Sequence, residues 1–183
     1  NDFIPYFLTA DHCLDGWASS TALDAINNPN APDWVFYFNY ESTGCSDPTS
    51  DPISNANSFS GAKVIANNSA SDFALMRISE PVVGAGATYL GWTTASPGLG
   101  GIGIHHPRGD VKKISTHTSI PSSNGNYWDL YWSSTTNGYS VTEGGSSGSP
   151  LLEQNKRVVG QLFGGSSLNC TDPANDLGKY GKL

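Results

Sequence analysis

Basic residues are scarce in this sequence: nine Lys and Arg stand against 16 Asp and Glu, and the formal net charge is −7. Proteins that bind nucleic acid or an anionic membrane surface use a basic patch to do so. The charge balance therefore excludes both classes of partner. No apolar run approaches the roughly 20 residues that a membrane-spanning helix needs, so no such helix is predicted.

Cysteine is also rare, and its spacing is informative. The three residues, Cys13, Cys45 and Cys170, lie far apart and form no C-x-x-C pair, which argues against a zinc site. Three cysteines cannot all pair within one chain. Either one thiol is free, or the cysteine partners lie outside this sequence.

The remaining residues that could bind a metal follow no ligand pattern. His105, His106 and His117 lack the spacing of a metal-ligand set. The acidic stretch 47–51 lacks the spaced acids and the glycine of a calcium-binding loop. We predict neither a metal nor a cofactor.

Turn-forming and aromatic residues are plentiful. The chain has 24 Ser, 21 Gly and 15 Asn among 183 residues, which is typical of short strands joined by turns, and its seven Phe, eight Tyr and five Trp can fill a core. Strand-like segments recur and predict an all-β sandwich or barrel. They are residues 3–10, 34–40, 62–66, 73–78, 101–105, 111–116, 127–132 and 157–163. A short helical turn is predicted at 19–26, and a crossover between two lobes at 84–101.

Three local segments carry residues suited to nucleophilic chemistry. A histidine ends the first apolar segment in Thr9-Ala10-Asp11-His12-Cys13, an acid opens another in Ser71-Asp72-Phe73-Ala74-Leu75, and a serine sits in the glycine-dense turn Gly145-Ser146-Ser147-Gly148-Ser149-Pro150. Acyl transfer by serine needs a base for the hydroxyl proton, an acid that orients the base, and N–H donors for the oxyanion. The chain order His, Asp, Ser is that of chymotrypsin-type enzymes.

Taken together, these segments resemble the trypsin/chymotrypsin superfamily of serine endopeptidases, and most closely its bacterial lysyl endopeptidase branch. The resemblance implies two six-stranded antiparallel β-barrel lobes, residues 1–95 with His12 and Asp72, and residues 96–183 with Ser147. It implies that His12 is the general base, that Asp72 orients it and that Ser147 is the nucleophile. The N–H groups of Gly145 and Ser147 would form the oxyanion hole.

The sequence departs from this family in the substrate pocket. Lysyl endopeptidases hold the substrate ammonium with an acid, helped by a histidine and a tryptophan. Here the histidine position falls on Phe163 and the acid position on Gly178. Because a buried ammonium without a carboxylate is strongly disfavoured, we expect Thr142, Phe163, Gly164 and Gly178 to line a neutral, largely apolar S1 pocket. Asp176, two residues before Gly178, is the residue that would overturn this expectation if it turned inward.

Two further departures concern activation and completeness. Many animal members carry Asp just before the nucleophile, where it pairs with a freshly cut N-terminus; Ser146 cannot do so. The family also has first strands ahead of the His motif, which are missing here, and it uses disulfides to tie cysteines like Cys13, Cys45 and Cys170 to that stretch. We therefore expect this sequence to be an incomplete record of a larger protein.

The sequence thus predicts a secreted bacterial serine endopeptidase that needs no cofactor and acts on protein or peptide substrates. Two other hypotheses stay open. One is a non-catalytic binding or adhesion module on the same fold, and the other is an esterase-like hydrolase that uses the same three residues.

Overall fold

A computed structural model describes residues 3–14, 28–166 and 176–183. Within these residues the chain is built from β-strands and short 3-10 turns, in agreement with the predicted all-β class. The strands are β1 (Tyr6–Ala10), β2 (Val35–Phe38), β3 (Asn57–Ser60), β4 (Ala62–Asn68), β5 (Phe73–Ile78), β6 (Gly101–His105), β7 (Lys113–His117), β8 (Ser122–Asn124), β9 (Tyr127–Tyr131), β10 (Pro150–Glu153), β11 (Val158–Ser166) and β12 (Leu177–Lys182).

The strands before residue 79 pair among themselves. Strands β1, β5 and β4 form an antiparallel sheet in that order, and β2 and β3 form a separate antiparallel pair. Alternate residues of these strands face one apolar cluster, as expected for strands with one buried face. Its buried members include Phe36, Phe59, Val64, Met76 and Ile78.

The strands after residue 100 form one sheet of seven strands in the order β7-β6-β10-β11-β12-β9-β8, and every pairing in it is antiparallel. A second apolar cluster lies against β9, β10, β11 and β12. It comprises Trp128, Leu130, Trp132, Leu151, Val159, Leu162 and Tyr180. Burial of such a side chain stabilises the fold by about 1.5–3 kcal/mol. This cluster therefore supports the part of the sheet that carries the Ser147 turn.

The predicted strands 73–78 and 101–105 coincide with β5 and β6. Residues 79–100 contain no strand, as expected for a crossover between two lobes. This segment contacts the seven-stranded sheet through a β-bridge between Trp92 and Val158. Strands β3, β8, β10 and β12 were not predicted. The helical turn expected at 19–26 lies outside the described residues. The division into lobes at residue 95 and the closure of each lobe into a barrel stay predictions.

Among the described residues, Cys13 and Cys45 are free thiols, so neither forms a disulfide with the other. Cys170 lies outside the described residues. No helix in the described ranges is long and apolar enough to cross a bilayer.

Candidate active site

The pairing of β1 with β5 brings His12 and Asp72 together. Ala10, the last residue of β1, stands opposite Phe73, the first residue of β5. His12 follows β1 in a 3-10 turn, and Asp72 immediately precedes β5. The Asp11 N–H extends the pairing by one residue, since it donates to the Asp72 carbonyl at 2.9 Å. The register of this strand pair therefore places the two side chains side by side, although 60 positions separate them in sequence.

The Asp72 carboxylate binds His12 through both of its oxygens. Oδ1 accepts the His12 backbone N–H at 2.9 Å, and Oδ2 lies 2.8 Å from His12 Nδ1. Because a carboxylate only accepts hydrogen bonds, Nδ1 carries the proton, and Nε2 of the neutral ring is left as an acceptor. The Asp72 side chain is 5% exposed, and its backbone has a positive φ of 55°, a region that Asp enters more readily than most residues.

The turn that precedes Asp72 is hydrogen-bonded to side chains of the seven-stranded sheet and its β8–β9 turn. The Gln161 side chain of β11, which is fully buried, donates from Nε2 to the Ser71 carbonyl at 2.8 Å. Asn126 donates from Nδ2 to the Ala70 carbonyl at 3.2 Å. These two amides connect the Asp72 turn to the sheet that carries Ser147. Sequence reasoning missed both of them, because a Gln in a strand and an Asn in a turn give no local signal of a distant partner.

Ser147 completes a continuous chain of hydrogen bonds. Its Oγ lies 2.8 Å from His12 Nε2. When the His12 ring is neutral, Nε2 is unprotonated and the Ser147 hydroxyl is the donor. The adjoining Gly148 donates its N–H to the Leu162 carbonyl at 2.8 Å, which fastens the turn to β11. Asp72 and Ser147, both predicted from the sequence, thus each lie within hydrogen-bond distance of His12, on opposite nitrogens of its ring.

The backbone ahead of Ser147 is held in an unusual conformation. Gly145 has a φ of +92°, which favours glycine, and the carbonyl of Gly144 accepts the Arg108 N–H at 2.7 Å. In a planar trans peptide the N–H points opposite to the carbonyl, so this bond directs the Gly145 N–H away from Arg108. Neither that N–H nor the one of Ser147 donates to another described residue. Both N–H groups therefore have no acceptor among the described residues.

The environment of His12 favours its charged form. The hydrogen bond with Asp72, and then one with Cys13, raise the pKa of His12, whereas its partial burial opposes the rise. The Phe163 ring meets the imidazole edge to face, with ring centres 5.9 Å apart, and it also contacts the Tyr127 ring at 5.4 Å. Phe163 is 43% exposed, so it offers an apolar surface beside the His12 ring.

The structure brings some of the predicted pocket residues together. Phe163 and Gly164 lie on β11 beside β12, where Gly178 pairs with Gly165. Thr142 lies on the segment that leads into the Ser147 turn and is buried. Asp176 is also buried, and its backbone carbonyl accepts the Trp132 N–H at 3.1 Å. The Asp176 side chain is therefore directed into the protein two residues ahead of Gly178, and a neutral pocket requires that its carboxylate lie outside the pocket.

An antiparallel all-β fold that carries a hydrogen-bonded Asp, His and Ser defines the class of chymotrypsin-like serine proteases. Comparison with known families agrees with that class. The chain belongs to the family of the lysyl endopeptidase C-terminal domain, which matches residues 1–181.

Two relatives illustrate the likeness. The chain is 30% identical over 182 residues to a lysyl endopeptidase of Pseudomonas aeruginosa, an alignment that covers 95% of this chain and 36% of the relative. The chain thus spans little more than a third of the length of that protein. A solved Glu endopeptidase in complex with MPD superposes with a TM-score of 0.51 at 19% identity, covering 98% of this chain and 76% of the other. That second likeness shows the fold alone.

Gly148 is a position where the site tolerates no side chain. A Cβ there would lie 2.5 Å from Thr9 Oγ1 and 2.8 Å from Ala10 N, because β1 passes directly over the Ser147 turn. We expect Gly148→Ala to destabilise the protein by about 2–4 kcal/mol, as overpacking and a strained φ combine. The Ser147–His12 contact would be lost with it. Thermal unfolding, together with activity at a temperature where the variant is folded, measures both effects.

Gly98 provides the matched control. Its φ is +73°, close to the +79° of Gly148, but a Cβ there would meet nothing within 4 Å. Gly98→Ala therefore reports the strain of a positive φ without the steric clash. Equal losses of stability in the two variants would contradict the importance of the approach between β1 and the turn.

Proposed function

We propose that this chain is the catalytic part of a secreted serine endopeptidase that hydrolyses peptide bonds through an acyl-enzyme intermediate. One observation carries the proposal: His12 lies 2.8 Å from Ser147 Oγ through Nε2 and 2.8 Å from Asp72 through Nδ1. A non-catalytic module with the same fold would not need the three side chains to be hydrogen-bonded in this way. Membership of the family supports the proposal because the relative from Pseudomonas aeruginosa is a lysyl endopeptidase.

In the first half of the reaction Ser147 Oγ attacks the carbonyl carbon of the substrate while its proton passes to His12 Nε2. The imidazolium that forms is stabilised by the Asp72 carboxylate on Nδ1. When the tetrahedral intermediate collapses, the carbon–nitrogen bond breaks and His12 returns the proton to the leaving amine. This step leaves the acyl group on Ser147. A water molecule then repeats the sequence, with His12 taking its proton, and releases the carboxylic acid.

The negative charge that develops on the substrate oxygen needs donors that are already in position. Gly145 and Ser147 supply two backbone N–H groups, which are separated only by Ser146 and donate to no other described residue. Donors of this kind contribute most when they need no rearrangement during the reaction, and loss of one costs about 10²–10³-fold in rate in comparable sites. The positive φ of Gly145 supports this role.

The substrate pocket is proposed to be neutral. Gly178 stands where the family's acid is expected, and Phe163 presents an exposed aromatic face next to His12. An apolar or small P1 side chain fits these residues better than an ammonium group, whose burial without a carboxylate is costly. Secretion is supported by the acidic, Ser- and Asn-rich composition.

A fluorophosphonate probe tests the catalytic proposal. We expect the probe to label the full-length protein at Ser147, since the Ser147–His12 pair activates the hydroxyl. Labelling should disappear in Ser147→Ala and persist in Ser149→Ala, a change of the same size two residues further on. Mass spectrometry of the labelled peptide identifies the site. A folded wild-type protein that takes up no label would favour the non-catalytic module, and labelling with turnover of simple esters alone would favour the esterase.

Replacement of Asp72 by Asn tests the role of the carboxylate. The amide cannot hold His12 in the same tautomer, so we expect kcat/KM to fall by about 10³–10⁴-fold. Because Asp72 raises the pKa of His12, its removal should also move the acid limb of the pH–rate profile to lower pH. In the wild type that limb should lie above the ordinary histidine value of about 6.5. Asp33→Asn, at an exposed position, is the control for loss of one carboxylate.

A series of peptide amides that differ only at P1 tests the pocket. We expect kcat/KM for Leu or Phe at P1 to exceed that for Lys by about 100-fold or more, because an uncompensated ammonium costs several kcal/mol to bury. A preference for Lys or Arg would refute the neutral pocket. In that case Asp176→Asn should abolish the preference, which would assign the binding carboxylate to Asp176.

A further inference from the structure

The two proposed oxyanion donors are separated by one residue whose side chain points into the protein. Ser146 lies between Gly145 and Ser147 and is 1% exposed. Its Oγ lies 2.8 Å from Nδ1 of His105, the last residue of β6, which is also buried. The backbone that presents both donors is thus tied, through the Ser146 side chain, to a histidine that takes no part in the proposed proton transfers.

The donor in the Ser146–His105 hydrogen bond is identified by the other contact of the His105 ring. On the far side of the ring, His105 Nε2 lies 2.9 Å from the Ser115 Oγ of β7, and that hydroxyl donates to the Val141 carbonyl at 3.0 Å. A hydroxyl has one proton, so Ser115 must accept from His105 Nε2–H. His105 Nδ1 is then unprotonated and accepts the hydroxyl proton of Ser146. The chain of donors runs from Ser146 through His105 and Ser115 to Val141.

Such a chain exists only when His105 is neutral, because a protonated ring has no acceptor to offer Ser146. The surroundings supply this condition. Burial first, and then the nearby charge of His106, lower the pKa of His105 to about 4. The ring is therefore neutral near pH 7.

The hairpin formed by β6 and β7 is hydrogen-bonded to the segment 140–144 at two more points. The Thr116 N–H of β7 donates to Ser140 Oγ at 2.9 Å, and the Arg108 N–H in the loop between β6 and β7 donates to the Gly144 carbonyl. Arg108 itself has a positive φ of 51°, and a Cβ on Gly145 would meet its N at 3.1 Å. Hence the β6–β7 hairpin acts as a template for the backbone that leads into Ser147.

We propose that His105 is a positioning residue of the oxyanion site: by accepting the Ser146 hydroxyl proton and donating to Ser115, it holds the Gly145 and Ser147 N–H groups in their productive directions. The proposal rests on the proposed function of the site. In superfamily members that carry Asp before the nucleophile, that Asp forms an ion pair. Under this proposal Ser146 instead forms a neutral hydrogen bond with His105. The Ser146 side chain is therefore held by a series of neutral hydrogen bonds, and all of its members lie between residues 105 and 146.

Ser146→Ala in the full-length protein is the primary test. The change removes one hydroxyl and leaves His105 Nδ1 without a donor. We expect kcat to fall roughly 10- to 100-fold with little change in KM, because the interaction matters only when charge develops on the oxygen. A peptide aldehyde, whose tetrahedral adduct uses the same donors, should lose affinity by a similar factor. The matching peptide alcohol, which forms no adduct, should bind as it does to the wild type.

Ser149→Ala is the matched control, since Ser149 lies in the same turn and its hydroxyl forms no hydrogen bond with a described residue. A second pair of variants tests the histidine. His105→Gln keeps an acceptor and a donor and should retain more activity than His105→Leu, which keeps neither. Combining Ser146→Ala with His105→Leu should add little to the loss from His105→Leu alone, as expected when two changes remove one interaction.

A readout without catalysis separates this inference from the proposed function. Amide ¹⁵N order parameters of Gly145 and Ser147 should lie near the rigid value of about 0.85 in the wild type and fall in Ser146→Ala but not in Ser149→Ala. Unchanged order parameters together with kinetics equal to those of Ser149→Ala would overturn the role of His105. Absence of turnover and of probe labelling in a wild-type protein with a rigid loop would instead refute the endopeptidase.

Discussion

The site depends on one buried carboxylate. Asp72 has almost no contact with solvent, and an ionised group in that position is tolerated only when hydrogen bonds replace the lost water. His12 supplies two of them, one from its backbone and one from its ring. This double contact needs the end of β1 to stand opposite the start of β5, and it needs the Ala70–Asp72 turn to be fixed by Gln161 and Asn126. Burial of this charge therefore depends on the strand register, on the contact between the sheets and on a proton at His12 Nδ1.

The His12–Asp72–Ser147 set could be predicted because each member lies in a recognisable local segment. The bounds of β5 and β6 were also predictable, since both strands are apolar runs that end at turn residues. Strands β8 and β12 escaped prediction because Ser122–Asn124 and Leu177–Lys182 have little strand propensity of their own. They exist because neighbouring strands offer unpaired backbone groups. The partners of Gln161 and His105 escaped for a related reason: contacts across 90 and 41 positions leave no trace in local spacing.

The likeness to lysyl endopeptidases and the pocket residues point to different conclusions about specificity. Membership of the family is established over residues 1–181, but we propose that Gly178 occupies the acid position of the pocket. A Cβ at Gly178 would lie 3.1 Å from the Tyr180 ring and 3.2 Å from Trp132 Nε1, so the buried aromatic side chains occupy the space that a longer side chain would need. Under that proposal, the glycine is tied to the packing of β9 and β12 as well as to the substrate.

The long separations within the site also govern when it can form. Asp72 lies 60 positions from His12, and Ser147 lies 135 positions from it. Closing loops of this length costs conformational entropy before any contact offsets it, and such topologies fold slowly. No short N-terminal segment of the growing chain contains all three residues, because Ser147 is synthesised long after His12. Under the proposed function, a nascent chain of this kind would therefore have no peptidase activity until its last strands have docked.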